Sequence, residues 1–269
     1  MNRKILAAGF VAIAFSFTLS CSEGSDCTLQ DPSHNPDASR AINILVLSAM
    51  YHPSLPDIIP DSLEDTGLLP DDSRIDLFRI LDSERDLHVP VFDFLQQYDA
   101  VIIFTETWPA DEGDYARYDT IGELLADYID DGGGLVLCQY AMYDGSARIR
   151  GRICSSGYAP LTTGPLDVES RDDRSLLLDS IEFPLHPVFS GIDIAGLLLP
   201  GEFLAYPQLD ATAILLAEDN HASNAIAINA SGSIIGLNMS AQAFAFPDYK
   251  EAVNLIVNCL IHVADADRS

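Results

Sequence analysis

Residues 98–138 read YDAVIIFTETWPADEGDYARYDTIGELLADYIDDGGGLVLC, and this stretch decides the predicted fold. Ala100–Phe104 is an unbroken apolar run, which is typical of a parallel strand buried on both faces. Over residues 120–130 the apolar side chains recur at helical spacing, so one face of a helix is apolar. Gly132–Gly134 end that helix, and Leu135–Leu137 begin a second buried strand. Strand, helix and strand in this order predict a βαβ unit of a parallel sheet.

Further strands and helices are predicted on both sides of this unit. The proline-rich segment 50–72 is predicted to be a loop, and residues 91–97 a short helical turn. Late in the chain, short strands are predicted to pair antiparallel at an added sheet edge, before an amphipathic helix closes the chain over residues 251–263. Besides those of the βαβ unit, the predicted strands are 42–47, 75–81, 213–217, 225–228 and 234–237. The fold class is therefore α/β, with a mostly parallel sheet and an antiparallel extension.

The amino terminus has the layout of an export signal. Arg3 and Lys4 are followed by the apolar run Ile5–Leu19, which is shorter than the roughly 20 residues of a membrane span. Ser20 then precedes Cys21, as in a bacterial lipoprotein cleavage site. We predict that residues 1–21 are a signal peptide and that Cys21 becomes lipidated. The lipid would anchor the protein to a membrane of the cell envelope, facing the periplasm or the exterior.

Composition narrows the classes of partner. The chain has 14 basic and 41 acidic residues, and its formal charge of -27 repels phosphate backbones, so no nucleic-acid partner is expected. Residues 22–40 are polar and contain almost no large apolar side chain, which predicts a disordered linker before a domain at residues 41–265. No spacing typical of an EF-hand or a zinc site occurs, so no metal and no cofactor is predicted.

Four cysteines remain if Cys21 is lipidated, and an exported protein can form disulfides. They are Cys27, Cys138, Cys154 and Cys259, which allow three connectivities. Because Cys138 and Cys154 lie near one predicted sheet edge, a disulfide between them is the favoured interpretation.

The order of motifs along the chain resembles the class I glutamine amidotransferase-like superfamily, and most closely its ThuA-like and related extracytoplasmic branches. The motifs are the strand beginning YDAV at Tyr98, the helix with its GGG stop, the segment HPVFSG at 186–191 and the late strand GSIIGLN at 232–238. The resemblance spans residues 42–264. It implies a flavodoxin-like three-layer sandwich, in which ligands bind beyond the carboxyl ends of the strands.

That rule implies a set of candidate site residues. Glu106 and His52 are candidates for an acid/base pair, and Trp108 for stacking on a sugar ring or packing against the preceding loop. His186 is a candidate binding residue, although a histidine before a proline also commonly shapes a turn. The other predicted binding residues, also at strand ends, are Gln139, Tyr140 and Asn238.

Cys138 is the candidate nucleophile, and the resemblance also provides the reason against it. Amidotransferases hold this cysteine on a turn flanked by glycines, whereas Gln139 follows it here, and their late His-x-Glu pair is absent because Val188 lies two residues after His186. The function predicted first is therefore a non-catalytic module that binds a glycan or a protein partner. The alternative is a sugar-active hydrolase or isomerase that uses Glu106, His52 or Cys138.

Overall fold

Thirteen strands and four α-helices make up the protein in a computed structural model that describes residues 40–50, 54–81, 87–105, 115–142, 149–162, 164, 166–167, 174–200 and 204–266. The helices are α1 (Leu55–Glu64), α2 (Phe92–Leu95), α3 (Tyr115–Asp130) and α4 (Lys250–Asp265). The strands are β1 (Asn43–Ala49), β2 (Arg74–Arg79), β3 (Ala100–Thr105), β4 (Gly134–Cys138), β5 (Leu161–Thr162), β6 (Leu166–Asp167), β7 (Arg174–Ile181), β8 (Leu198–Leu199), β9 (Leu204–Ala205), β10 (Gln208–Leu209), β11 (Ile214–Asp219), β12 (Asn224–Ile228) and β13 (Ile234–Leu237).

The central sheet has nine strands in the order β2-β1-β3-β4-β13-β12-β11-β7-β8. The first five pair in parallel and the remaining pairs are antiparallel, which confirms the predicted parallel sheet with its antiparallel extension. Val46, Ile102, Val136 and Ile235 lie side by side across four adjacent strands. Two small antiparallel pairs, β10 with β5 and β6 with β9, lie outside this sheet.

Helices cover both faces of the sheet, so the fold is the flavodoxin-like three-layer sandwich that was expected. On one face, the row with Val46 packs against α1 and α4, including Ile59 and Leu255. On the other face, the row with Leu47 packs against α2 and α3, including Leu95 and Ile121. Side chains alternate between the two faces along each strand, so every residue position on a central strand is assigned to one face or the other.

The segment 50–72 contains a helix, so the prediction of a loop there was wrong. Pro56 lies in the first turn of α1, where a backbone N–H has no helical partner to lose, and it is compatible with the helix. Ile59 and Leu63 are one helical turn apart and both are fully buried against the sheet. Tertiary burial of this face therefore outweighs the cost of the internal Pro60.

One late strand differs from the prediction. β13 was expected in the antiparallel extension, but it pairs in parallel with β4 and antiparallel with β12, so the extension begins at β12. Strand β7, which pairs with β11 on its far side, was not predicted. The predicted signal peptide and nearly all of the predicted linker, residues 1–39, lie outside the described residues. No helix in the described part of the chain is long and apolar enough to cross a membrane.

Candidate functional site

Three polar side chains lie in a row at the carboxyl ends of β3, β4 and β13. β3 pairs in parallel with β4, with Ile103 opposite Leu137, and β4 pairs in parallel with β13, with Cys138 opposite Leu237. When this register is continued to the strand ends, Thr105, Gln139 and Asn238 lie next to one another on the α3 face. The backbone N–H of Gln139 donates to the Met239 carbonyl at 3.0 Å, which continues the pairing past the strand ends. All three side chains are buried. Two of the predicted binding residues, Gln139 and Asn238, are thus neighbours.

Asn238 is held by groups of the antiparallel half of the sheet. Its amide nitrogen donates to Ser223 Oγ at 3.1 Å and to the Asn224 carbonyl at 3.3 Å. Thr105 Oγ1, at the other end of the row, makes no hydrogen bond to any residue that the structure describes. The row therefore combines a fixed amide with a hydroxyl that retains hydrogen-bonding capacity.

Asp219 extends this polar row towards the sheet edge. Its carboxylate accepts from the backbone N–H groups of His221, at 2.9 Å, and Ser223, at 3.0 Å, and so fixes the turn that presents Ser223 to Asn238. The other carboxylate oxygen lies 3.5 Å from the guanidinium of Arg174 on β7, and both side chains are completely or almost completely buried. This buried ion pair was not predicted from the sequence, because its two members are 45 positions apart in the chain.

A cavity of about 330 Å³ adjoins the end of β4 on the α3 face. Its floor consists of buried apolar side chains, namely Leu137, Ala141, Met142, Ile149, Ile153, Ala159 and Leu161. Asp119 from α3 and the Arg150 guanidinium lie at its mouth, with Arg150 Nε 3.7 Å from Asp119 Oδ1. A volume of this size with an apolar floor and a few polar groups is typical of a small-ligand site.

The cavity wall depends on close packing between α3 and the segment 149–154. A Cβ atom at Gly122 would lie 1.5 Å from the Arg150 carbonyl oxygen, so this helix position admits no side chain. Gly151 has φ +79°, a left-handed conformation that favours glycine. At this residue the segment 149–154 turns and packs against Asp119 and Glu123 of α3. Two sequence features could have indicated the cavity, although neither is a motif: Gly122 within a predicted helix, and the run Arg150-Gly151-Arg152.

Arg152 fastens the same segment to the exposed side of α3. Its guanidinium forms ion pairs with Asp127, with Asp130 at 2.6 Å and with Glu123 at 3.4 Å. Its backbone N–H also donates to Glu123 Oε1, and Tyr158 donates to Asp130. One arginine thus pairs with three carboxylates on one helix face and offsets part of their mutual repulsion, and because the network has several members it holds the segment more firmly than an isolated surface pair would.

Cys138 lies on the opposite face from the cavity. It is fully buried among the side chains packed against α4, and burial, with a smaller contribution from Cys259, raises the pKa of its thiol well above the ordinary value. A thiol held protonated is a poor nucleophile. The predicted disulfide with Cys154 is wrong: the two cysteines are not bonded to each other, because Cys154 lies at the cavity on the α3 face, where its Sγ donates to the Ile149 carbonyl.

Alkylation of the native protein should distinguish these thiols. We expect iodoacetamide to modify the exposed Cys154 readily and Cys138 roughly 100-fold more slowly, because the buried thiol is both inaccessible and protonated. Peptide mapping by mass spectrometry measures both rates in one sample, and unfolding in guanidinium should make them equal. Equal rates in the native protein would contradict the buried position of Cys138.

His186 lies away from the polar row, so the structure does not bring it together with the other predicted binding residues. It follows β7, which is separated from β13 by three antiparallel pairings and so runs opposite to the parallel strands. His186 therefore lies near the amino ends of the parallel strands. Its ring packs against His262 with centroids 4.8 Å apart, and its Nδ1 accepts from the Val188 N–H at 3.4 Å at the start of a short 3₁₀ helix. These contacts correspond to the turn-shaping role that the sequence also allowed.

The same contacts predict a pH dependence of stability. Burial, and secondly the neighbouring His262, lower the pKa of His186 from 6.5 to about 4. Below pH 6.5 the unfolded chain binds a proton that the folded chain does not, so the free energy of unfolding falls between about pH 6.5 and 4. We expect a loss of about 1–2 kcal/mol after allowing for solvent screening of this half-buried ring, measured by urea titrations at several pH values.

His186→Asn is the matched control for this prediction. Asparagine can also accept from the Val188 N–H but does not titrate, so the variant should lose less stability than the parent between pH 6.5 and 4. Identical pH profiles for the two proteins would contradict the assignment to His186.

The remaining predicted site residues fall in segments that the structure does not describe. His52, Glu106 and Trp108 lie outside the described residues, as does the side chain of Tyr140. In the part of the chain that is described, no group of three or more histidine, cysteine, aspartate or glutamate side chains is arranged to hold a metal ion.

Comparison with known proteins gives likeness in fold only. No protein-family profile matches the chain, and no curated protein matches it. Among solved structures, a glutamine amidotransferase from Methylobacillus flagellatus aligns with 84% of this chain and 94% of its own, at 10% identity and a TM-score of 0.49. A GMP synthase component from Thermoplasma acidophilum aligns with 82% of this chain and 94% of its own, at 10% identity and a TM-score of 0.46. The structures that resemble this chain thus include amidotransferase-type folds.

Proposed function

We propose that this chain is an exported lipoprotein whose amidotransferase-like domain binds a glycan or a protein partner without catalysing a reaction. We also propose that it belongs to the ThuA-like and related extracytoplasmic branches, on the order of its YDAV, GGG, HPVFSG and GSIIGLN segments. The observation that carries the non-catalytic function is the position of Cys138. Its thiol faces α4 rather than the cavity, and its pKa is raised rather than lowered.

The groups around the end of β4 support binding rather than chemistry. Among the described residues that line the cavity there is no histidine, so these residues provide no imidazole base to activate the Cys154 thiol. The neighbouring row of Thr105, Gln139 and Asn238 offers hydroxyl and amide groups, which form hydrogen bonds but do not transfer protons at neutral pH. A ligand would therefore be held by apolar contact and hydrogen bonds at this end of the sheet.

Lipid anchoring is tested by replacing the proposed lipidated residue. Cys21→Ser should move the protein from the membrane fraction to the soluble fraction of the cell, because the acyl chains supply the membrane affinity. Fractionation and immunoblotting measure the distribution, and Cys27→Ser is the matched control. An unchanged membrane fraction for Cys21→Ser would overturn the anchor.

The absence of catalysis is tested by screening the full chain against glycosides and generic ester and amide substrates. We expect no turnover above that of a heat-denatured sample. Turnover that is lost in Glu106→Gln would overturn the binding function and favour the sugar-active hydrolase or isomerase. A glycan array and co-purification from membranes then separate the two classes of ligand.

A further inference from the structure

We propose that the cavity beside β4 receives an apolar amino acid residue with a free α-amino group, as the amino terminus of a peptide presents it. This proposal rests on the proposed binding function and names the chemistry of the ligand. Two features of the cavity support it: an apolar floor, and one acidic and one basic side chain at the mouth.

The floor sets the requirement for an apolar side chain. Leu137, Met142, Ile149, Ile153 and Leu161 are each at most 5% exposed and face about 330 Å³ of free space. This is room for a side chain of the size of leucine or phenylalanine together with its backbone atoms. Filling it would remove apolar surface from water on both molecules, which is the dominant favourable term in such association.

The floor also disfavours a saccharide at this position. Among the described lining residues, the only neutral hydroxyl is that of Thr162, and it already donates to the Gln208 carbonyl at 3.2 Å. A sugar ring pushed onto this floor would bury hydroxyl groups without partners, at a cost that apolar contact does not offset.

The mouth sets the requirement for the α-amino group. The side chain of Asp119 is 55% exposed and that of Arg150 34%, and the two form an ion pair in which Arg150 Nε lies 3.7 Å from Asp119 Oδ1. An α-ammonium group can donate to the Asp119 carboxylate while the adjoining carbonyl or carboxylate oxygen accepts from Arg150. The two charges on the protein are thus complementary to neighbouring groups on one amino acid.

Two sources share this chemistry, a free amino acid and a peptide amino terminus, and titration calorimetry on the full chain in detergent can distinguish them. The probes are Phe-Gly-Gly, N-acetyl-Phe-Gly-Gly, Gly-Gly-Gly, free L-phenylalanine and the disaccharide chitobiose. We expect saturable binding of Phe-Gly-Gly, and at least 10-fold weaker binding of the acetylated peptide and of Gly-Gly-Gly. Free L-phenylalanine binding more tightly than the peptide would overturn the peptide source, though not the chemistry.

Variants assign the binding to this cavity. Asp119→Asn should weaken Phe-Gly-Gly at least 10-fold and abolish the difference between the free and acetylated peptides, a readout that general destabilisation would not produce. Asp57→Asn is the matched control, because Asp57 is a similarly exposed carboxylate on α1 that is paired with Arg79, and it should leave affinity unchanged.

Three results would overturn the proposal. The first is equal affinity for the free and acetylated peptides, and the second is no heat of binding for Phe-Gly-Gly at millimolar concentration. The third is binding of chitobiose that Asp119→Asn abolishes, which would reject a peptide ligand while leaving the proposed binding function in place. Turnover of a substrate would instead reject the proposed function itself.

Discussion

Replacing Asp219 by alanine is expected to lower the free energy of unfolding by about 3–5 kcal/mol, the largest effect of any substitution considered for this protein. The change removes the carboxylate beside the buried Arg174 guanidinium, 3.5 Å away, and leaves a positive charge in the interior without that compensation. It also removes the acceptor for the backbone N–H groups of His221 and Ser223, which shape the turn after β11. Urea denaturation followed by circular dichroism measures the loss.

Three comparisons make this prediction specific to the buried ion pair. Asp219→Asn keeps an acceptor for the turn and should cost less than Asp219→Ala. The double variant Arg174→Met/Asp219→Leu should be more stable than Asp219→Ala, because neither charge of the pair remains in the interior. Arg40→Ala breaks an exposed pair with Asp99 and should cost about 1 kcal/mol or less. A loss for Asp219→Ala no larger than that for Arg40→Ala would contradict the buried pair.

Replacing Gly122 by alanine is expected to destabilise the protein by about 3 kcal/mol, although the same change in an exposed helix normally stabilises by about 1 kcal/mol. The reason is the Arg150 carbonyl oxygen, which would lie 1.5 Å from the new Cβ atom. Backbone rather than a flexible side chain occupies this space, so α3 and the segment 149–154 must move apart. That movement would open the wall of the cavity and release Arg150 from Asp119.

The sign of the effect is the test of this packing. Thr120→Ala, an exposed substitution two residues earlier in the same helix, should leave the free energy of unfolding nearly unchanged. Thermal unfolding of the two variants beside the parent measures the difference, and Phe-Gly-Gly titration reports whether the cavity survives. A stabilised Gly122→Ala protein would show that α3 and the Arg150 backbone do not make this contact.

Much of the fold was predictable because its signals are local. The apolar run Ala100–Phe104, the helical spacing before Asp130 and the glycines after it each reflect residues close together in the chain. Such patterns report which faces of an element avoid water. They predicted β3 and β4 with ends close to those observed, and α3 with its end at Asp130 but its start five residues after Tyr115. The segment 50–72 was predicted wrongly because its prolines dominate the local signal, whereas the burial of Ile59 and Leu63 depends on the sheet beneath them.

The candidate site was less predictable because its geometry depends on contacts between distant segments. Gln139 and Asn238 are 99 positions apart in the chain, and they become neighbours only because β13 pairs in parallel with β4. Alternation along β4 predicts that Cys138 and Leu137 lie on opposite faces of the sheet. It does not predict which face packs against α4, and that contact decides that Cys138 points away from the cavity.

By itself, the sequence determined the βαβ unit, the parallel half of the sheet and the acidic character of the chain, since each follows from composition or from periodicity within a few turns. Only the tertiary structure decided that Arg174 meets Asp219 and that Arg150 meets Asp119 beside an apolar cavity. The physical reason is that the energy of a charge depends on its surroundings. Burial and partner distance are set by strands and helices that are remote in the chain, and no local pattern encodes them.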